Sequence, residues 1–288
     1  MIQSMTGYAQ LARELPQGTV AIELKSVNGR FLDLQFRIAE DARAIEPQLR
    51  ELITAAVARG KIDCRVGFVS SPAAGAEAAL DGRQLARLAE LSRAVKQAIP
   101  DAQPLRVSEV LHWPGIFGED LGAETALRDA ILALGRLAID ELKATRSREG
   151  AKLADMIRGR VAQIRSRLAE IAPLVPQAIA AYEARLVAKL REALGGAEDE
   201  RIRQEIAVFG VKIDVAEELS RLAAHLDEVD RVLGAGGAVG KRLDFLMQEL
   251  NREANTLGSK SVSRELSQAS LDFKLLIEQM REQVQNLE

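Results

Sequence analysis

The chain has 288 residues, which is room for two modest domains or one elongated one. Hydrophobic residues make up 47% of it and aromatic residues only 3%, which favours helix packing over a large β-sandwich. A formal net charge of −3 excludes a strong basic field over the whole molecule, so a nucleic acid would have to bind at a local patch.

The compartment follows from what the sequence lacks. The opening residues "MIQSMTGYAQ" have neither the charged start nor the apolar run of a signal peptide. No stretch approaches the roughly 18 apolar residues of a membrane span. The single cysteine, Cys64, excludes an intramolecular disulfide framework. We therefore expect a cytoplasmic protein that does not contact a membrane.

The first 70 residues alternate between apolar and polar positions, as β-strands do. Such runs lie on both sides of Asn28-Gly29 in "GTVAIELKSVNGRFLDLQFRI". Both turn residues tolerate positive φ, so the pattern predicts a hairpin there. "IEPQLRELITAAVARG" predicts a helix. "KIDCRVGFV" then predicts another strand, in which Cys64 belongs to the core and is not a nucleophile.

Helices are predicted for most of the remainder, after a flexible connector at "SSPAAGAEAALDG". The segment 121–194 should break at Gly150 and at Pro173 and Pro176, and one helix is expected over 199–233. The last segment carries an approximate heptad of apolar residues, typical of intramolecular packing or a subunit contact. These residues are Leu266, Ala269, Phe273, Leu276, Met280, Val284 and Leu287. The expected fold class is α+β, with a β-rich α/β region (1–72) before a long, mostly helical part with coiled-coil-like packing (80–196 and 197–288).

The stretch "RLDFLMQELNREANTLGSKS", from Arg242 to Ser261, predicts an amphipathic helix whose polar face is crowded with carboxylate, amide and guanidinium groups. Its buried stripe follows 4, 3, 4 spacing: Leu243, Met247, Leu250 and Ala254. A polar stripe has the same spacing: Asp244, Gln248, Asn251 and Asn255.

Glu249 and Glu253 form a like-charge pair one turn apart on this helix. Such a pair costs a few tenths of a kcal/mol on an isolated helix, and a cation from arginine, lysine or a metal would offset the cost. Oxygen ligands of this kind suit Mg²⁺ or Mn²⁺. The alternative is a solvated face on which Glu249 pairs with Arg252.

The preceding helix, "VKIDVAEELSRLAAHLDEVD", repeats this arrangement. Its predicted buried stripe is Val215, Leu219, Leu222, Leu226, Val229 and Leu233. Asp214, Glu218, Arg221 and His225 line one face, with Glu217 one turn before Arg221. The carboxylates could hold a metal or act as a base, Arg221 could clamp a phosphate, and His225 could move a proton. An ion-paired helix surface explains the same residues equally well.

One segment is strongly basic. Residues 143–167, "KATRSREGAKLADMIRGRVAQIRSR", carry eight cationic side chains against Glu149 and Asp155. Arg158 and Arg165 lie on one side of its apolar stripe and could track a phosphate backbone. They could equally pair with acidic helices of the same fold or of a neighbouring subunit. Walker A, G-x-G-x-x-G, H-E-x-x-H and G-x-S-x-G signatures are absent from the sequence, so those chemistries have no support.

Several motifs together resemble the YicC/YloC family of bacterial proteins. In chain order they are "SMTGYA", "ELKSVNGRFLD", "RGKIDCRV", "KIDVAEELSRLAAHL", "KRLDFLMQELNREANTLGSKS" and "IEQMREQVQN". The similarity runs from the first residues to the last and is weakest through roughly 70–200. The hairpin motif has Gly29 where many relatives carry a larger polar residue.

The resemblance implies an endoribonuclease assisted by Mn²⁺ or Mg²⁺, assembled as a ring-like homohexamer that closes around RNA and acts in small-RNA turnover. The family motifs fall on these residues without indicating which are catalytic. As a hypothesis, we assign catalysis to Glu249, Glu253, His225 and Arg221. In this hypothesis Glu249 and Glu253, with Glu217 or Glu218, hold the metal, which activates water or neutralises the charge of the phosphorane. The expected RNA contacts are Arg242, Gln248, Asn251, Arg252, Asn255 and Lys260, with Arg158 and Arg165 on the basic segment. The alternatives are an RNA clamp that delivers RNA to other nucleases and an oligomeric scaffold built on the heptads.

Overall fold

The structure is a computed structural model that describes residues 2–16, 18–70, 80–113, 115–116, 121–194 and 199–288. The strands are β1 (Gly7–Leu15), β2 (Gly18–Val27), β3 (Leu32–Ile38) and β4 (Gly60–Ser70). The helices are α1 (Glu46–Ala56), α2 (Gly82–Ala98), α3 (Val107–Leu111), α4 (Leu121–Ile171), α5 (Val175–Leu194), α6 (Asp199–Ile213), α7 (Ala216–Ala235), α8 (Gly240–Lys260) and α9 (Arg264–Val284). Short 3₁₀ segments cover Glu40–Ile45 and Ala172–Leu174. The predicted α+β class, with its long helical C-terminal part, is confirmed.

The sheet corrects the predicted hairpin. Its strand order is β1-β2-β4-β3, and β3 runs parallel to β4, with Leu32 paired to Gly60 and Ile38 to Val66. Because β4 lies between β2 and β3, the hairpin expected at Asn28-Gly29 does not form. Asn28 instead donates a hydrogen bond from Nδ2 to the carbonyl oxygen of Gln285, at 2.7 Å.

The chain divides into two compact units. The helical unit comprises Met1–Tyr8, Ser26–Arg30 and Leu142–Glu288, and the sheet unit comprises Ala9–Lys25 and Phe31–Glu141. The three regions expected from the sequence stay a prediction. Most of the connector expected between the first two, residues 71–79, lies outside the described part of the chain.

In the sheet unit, the apolar faces of β2 and β4 form the core with α1. Ile22 and Ile62 are fully buried, and Cys64 lies beside them with 1% of its surface exposed. Burial raises the pKa of the Cys64 thiol to about 12, and the negative charges of Asp63 and Glu46 add to the effect. The prediction that Cys64 is a core residue is confirmed.

In the helical unit, the predicted apolar stripes of α7 and α8 join apolar residues of α4 and α9 in one core, and all of them are buried except Leu219, which is partly buried. All four residues of the α8 stripe are inaccessible to solvent. On α9 the heptad holds except that Ile277, not Leu276, is fully buried. Among the described residues, no helix combines the length and apolar content needed to cross a bilayer.

Two helix boundaries differ from the prediction. The helix α4 continues through Gly150, because the glycine serves close packing and does not end the helix: a Cβ there would lie 2.5 Å from the carbonyl oxygen of Ile2. The single helix expected over 199–233 is interrupted at Asp214 and Val215, where the Asp214 carboxylate accepts a hydrogen bond from the backbone N–H of Ala216 at 2.9 Å. Val215 is the N-cap residue of α7, which begins as a separate helix at Ala216.

Within the helical unit, Arg146 on α4 binds both the N-terminal and the C-terminal residues of the chain. Its side chain is almost fully buried, and its Nε donates to the carbonyl oxygen of Ser4 at 2.6 Å. Its guanidinium also pairs with the carboxylate of Glu288. Ser4 forms an antiparallel bridge with Leu287, so one buried cation holds both ends of the chain in place.

Candidate functional site

The helices α7 and α8 run antiparallel and are joined by ion pairs along one side. Lys260 pairs with Glu218 at 2.8 Å, Arg221 with Glu253 at 3.5 Å, and Arg242 with Glu228 at 3.2 Å. We call this line the α7–α8 seam. It consists of Glu218, Arg221, His225 and Glu228 on α7 with Arg242, Glu249, Glu253 and Lys260 on α8.

One end of the seam is a partly buried ion pair. The side chain of Glu218 is only 7% exposed, and one of its carboxylate oxygens accepts a hydrogen bond from Lys260 Nζ. Lys260 also donates to the backbone carbonyl of Asp214 at 3.1 Å. The second carboxylate oxygen of Glu218 is buried and has no hydrogen-bond partner among the described residues. Lys260 therefore places a positive charge against this buried carboxylate and offsets part of the cost of burying it.

Arg221 occupies the middle of the seam between two carboxylates. Its guanidinium contacts Glu217, one turn earlier on α7, and Glu253 across the seam. Glu253 is 6% exposed, whereas Arg221 is 54% exposed. The guanidinium is thus fixed in orientation while much of it faces solvent, which suits a group that binds a phosphate.

The other end of the seam is a bridged carboxylate. Glu228 accepts two hydrogen bonds from Arg231, at 2.6 and 2.7 Å, and one from Arg242 at 3.2 Å. The hydrogen bonds from Arg231 are the main cause that lowers the pKa of Glu228 to about 2, and the hydrogen bond from Arg242 adds to the effect. Arg242 also lies over the ring of Phe245, with 5.9 Å between Cζ and the ring centre.

His225 and Glu249 fall between these pairs. His225 lies four residues after Arg221 and three before Glu228, and Glu249 lies four before Glu253 and seven after Arg242. Residues at these spacings share a helix face, so the imidazole and the carboxylate belong to the seam. Both side chains are partly exposed. The seam therefore collects the four predicted catalytic residues.

The predicted amide residues belong to the other side of α8. Asp244 faces α9, where its carboxylate lies 3.9 Å from Arg281, and it accepts a hydrogen bond from Gln248 at 2.9 Å. Asn251 and Asn255 follow Asp244 on the same side by helical spacing and are exposed. The seam residues and the amide residues thus lie on two different sides of α8, with the exposed Arg252 between them.

The expected metal ligands are not grouped within one chain. Over the residues that the structure describes, no three histidine, cysteine or carboxylate side chains converge as a metal site requires. Of the four expected ligands, Glu218 is neutralised by Lys260, and Glu217 and Glu253 share Arg221. In one protomer these side chains fit an ion-paired seam better than a divalent cation.

The basic segment is largely engaged with nearby carboxylates. Arg165 contacts Asp227 at 2.7 Å and Asp230 at 2.6 Å, both on α7. Arg158 pairs with Asp155 on its own helix at 2.9 Å. These contacts match the alternative in which the arginines pair with acidic groups of the same fold. An RNA-binding role for Arg158 and Arg165 stays a prediction.

Glu228 is the seam residue that the sequence analysis did not single out. Its place on the face of Arg221 and His225 could have been found from the spacing 4, 3 along α7. Its partner on α8 could not, because the pairing depends on how the two helices are aligned.

These elements define an α+β protein whose C-terminal helices carry a charged, phosphate-compatible seam. Two family models match the chain: the N-terminal region of endoribonuclease YicC-like proteins over residues 2–155, and their C-terminal part over residues 171–288. The chain therefore belongs to the endoribonuclease YicC-like family, and the resemblance drawn from its motifs is confirmed.

Two relatives match along the whole of both chains. One, named "Probable endoribonuclease YicC" in Haemophilus influenzae, is 36% identical over 289 residues. The other, with the same name in Clostridioides difficile, is 25% identical over 295 residues.

Proposed function

We propose that this chain is an endoribonuclease that cleaves RNA at the α7–α8 seam. Its family and the names of its full-length relatives support the activity. The observation that carries the choice of site is the half-exposed Arg221, which pairs with Glu253 across the seam. His225 lies one turn after Arg221 on α7 and Glu249 one turn before Glu253 on α8, by helical spacing. One exposed line then holds a phosphate-binding cation and two groups able to transfer protons.

In the proposed reaction, Arg221 binds the phosphate that will be cleaved and stabilises the charge that develops on it. Glu249 takes the proton of the neighbouring 2′-hydroxyl as that oxygen bonds to phosphorus. The bond from phosphorus to the 5′-oxygen breaks, and His225 acts as the general acid that gives a proton to the leaving oxygen. The products are a 2′,3′-cyclic phosphate and a 5′-hydroxyl end.

Assistance by Mn²⁺ or Mg²⁺ stays an expectation from the family resemblance. The ligands would come from Glu217, Glu218, Glu249 and Glu253. Because the described part of one chain does not bring three such ligands together, no step of the reaction is assigned to a metal.

End-group analysis of the cleaved RNA tests this chemistry. Purified chain is incubated with end-labelled RNA in Mn²⁺, in Mg²⁺ or in EDTA, and the new ends are identified. Cyclic-phosphate ends that persist in EDTA are the expected result. Metal-dependent cutting with 3′-hydroxyl ends would contradict attack by the 2′-hydroxyl and would indicate attack by metal-activated water. RNA binding without cleavage in any condition would make the chain an RNA clamp.

We also propose that the chain acts in RNA turnover in the cytoplasm as a ring-like homohexamer. Leu271 and Leu275, one turn apart on α9, are 59% and 62% exposed, which suits a subunit contact. Replacing both by Gln should dissociate the oligomer in sedimentation, and an unchanged mass would remove this face from the contact. Contacts with other RNA-decay nucleases stay a prediction.

A further inference from the structure

A second concave site lies in the helical unit, next to the end of the α7–α8 seam. It is open to solvent on one side and has a volume of about 500 Å³. Small-molecule pockets range from roughly 300 to 1,000 Å³. Its walls come from α5, α6, the C-terminal end of α8 and the N-terminal end of α9. We call it the α5–α9 pocket, and its lining includes Tyr182, Phe209, Lys212, Lys260, Arg264 and Ser267.

Three cations line the pocket from three different helices. Lys212 comes from the last turn of α6, Lys260 from the end of α8 and Arg264 from the start of α9. Among the described lining residues none is acidic. Lys260 is already paired with Glu218, so Lys212 and Arg264 are the cations that favour an anion here.

An aromatic pair forms another wall. The rings of Tyr182 and Phe209 lie 6.4 Å apart, centre to centre, with 35° between their planes. The ammonium group of Lys212 lies 5.5 Å from the centre of the Phe209 ring. Aromatic residues are only 3% of this chain, so two rings beside a cation in one cavity provide a specific platform for a flat ligand.

The floor of the pocket is rich in hydroxyl groups and includes a helix N-terminus. Ser263 caps the 21-residue α9 and accepts a hydrogen bond from the backbone N–H of Leu266 at 3.3 Å. Ser267 and Ser261 exchange a hydrogen bond at 2.7 Å. The pKa of Glu265 is lowered because its carboxylate bonds to its own backbone N–H and to the Ser263 hydroxyl. At the start of α9, the Glu265 carboxylate is thus hydrogen-bonded to its own backbone N–H and to Ser263.

We propose that the α5–α9 pocket binds one nucleotide of the RNA strand, with its base on Tyr182 and Phe209 and its phosphate between Lys212 and Arg264. The inference rests on the proposed function only in taking RNA as the ligand. Lys260 lines the pocket and also belongs to the seam, so a strand held there leads directly to the proposed cleavage site. The pocket then determines which phosphodiester bond reaches Arg221.

Photocrosslinking locates the bound nucleotide. A short single-stranded RNA containing 5-iodouridine is irradiated with the full chain, and the crosslinked residue is identified by mass spectrometry. The expected attachment is at Tyr182 or Phe209. Replacing either by Leu keeps an apolar side chain but removes the ring, and should weaken binding of the same RNA about tenfold.

A charge-matched pair of variants tests the phosphate contact. Lys212→Gln should weaken RNA binding and reduce the slope of log K against log salt by about 0.7, the contribution of one phosphate contact on single strands. Lys96→Gln removes the same charge from an exposed helix of the sheet unit and should leave both quantities unchanged. Circular dichroism confirms that both variants fold.

The outcomes separate the pocket from the cleavage reaction. Crosslinks at the pocket in a chain that does not cut RNA would support the pocket and refute the proposed function. Cleavage with crosslinks only elsewhere, and with Lys212→Gln binding like Lys96→Gln, would refute the pocket alone. A chain that neither binds nor cuts RNA would refute both.

Discussion

Replacing Arg221 by Gln should destabilise the chain more than replacing Glu253 by Gln, although the two side chains form one ion pair. The difference comes from burial. Glu253 is 6% exposed and Arg221 is 54% exposed, with 3.5 Å between their charged atoms. Without Arg221, the Glu253 carboxylate is left buried without its cation. Without the carboxylate, Arg221 is still solvated and still paired with Glu217.

The magnitudes follow from distance and exposure. Two unit charges 3.5 Å apart attract by about 1 kcal/mol at the dielectric constant of water and by about 5 kcal/mol at an effective value near 20. Exposure of Arg221 moves the pair toward the lower figure, so Glu253→Gln should cost about 1 kcal/mol or less. Arg221→Gln leaves a buried acceptor unsatisfied and should cost about 1–3 kcal/mol.

A double-mutant cycle in urea at fixed protein concentration measures both costs and their coupling. The double variant should be more stable than Arg221→Gln alone, because it no longer buries an uncompensated charge. Equal costs for the two single changes, adding to within about 0.5 kcal/mol in the double variant, would refute this account of the seam.

Three further predictions concern the surrounding structure. Gly150→Ala should lower the free energy of unfolding by about 1–3 kcal/mol, since a Cβ would meet the Ile2 carbonyl oxygen at 2.5 Å. On the same helix, a Cβ at Gly159 would meet nothing within 4 Å, so Gly159→Ala should raise the free energy of unfolding by about 0.5–1 kcal/mol. Equal effects of the two substitutions on urea unfolding would contradict the close contact at Gly150. Cys64, with a pKa of about 12, should resist iodoacetamide at pH 8 until the chain unfolds, and rapid labelling of the native chain would oppose this. The lowered pKa of Glu228 stabilises the fold above about pH 4.5, and that contribution is lost as the pH falls through about 2. The Tm of Glu228→Gln should therefore differ from that of the wild type by the same amount at pH 7 and pH 5, and the two values should converge below pH 4. A difference that stays constant with pH would exclude this contribution of the Glu228 pKa to stability.

The sequence predicted features that depend on local spacing. The apolar stripes of α7 and α8 were identified because a helix buries positions three and four residues apart, whatever its partner. The end of α8 at Lys260 also lies within one residue of the predicted stretch. Cys64 was assigned to the core from strand alternation alone.

Features that depend on distant partners were not predictable in the same way. Asn28-Gly29 has the chemistry of a hairpin turn, yet β4, more than 30 residues later, takes the place beside β2. Gly150 resembles a helix break until the backbone of Ile2 is brought against it. In both cases a non-local contact overrides a correct local preference.

The candidate site shows the same division. Spacing put Arg221 and His225 on one face and Glu249 and Glu253 on another, which the structure brings together along one seam. The like-charge pair of glutamates suggested a cation, and at Glu253 that cation is Arg221. Which cation it is depends on the alignment of α7 with α8, which spacing along one helix does not determine.

Single-turnover cleavage of an end-labelled RNA by seam variants tests the central claim most directly, with RNA binding measured in the same samples. Glu249→Gln and His225→Gln should each slow cleavage by about 100-fold or more while binding is retained, because each removes a proton-transfer group. Glu278→Gln and His112→Gln make the same chemical changes away from the seam and should cut at the native rate. Cleavage by both seam variants at the native rate would contradict the assignment of the α7–α8 seam as the active centre.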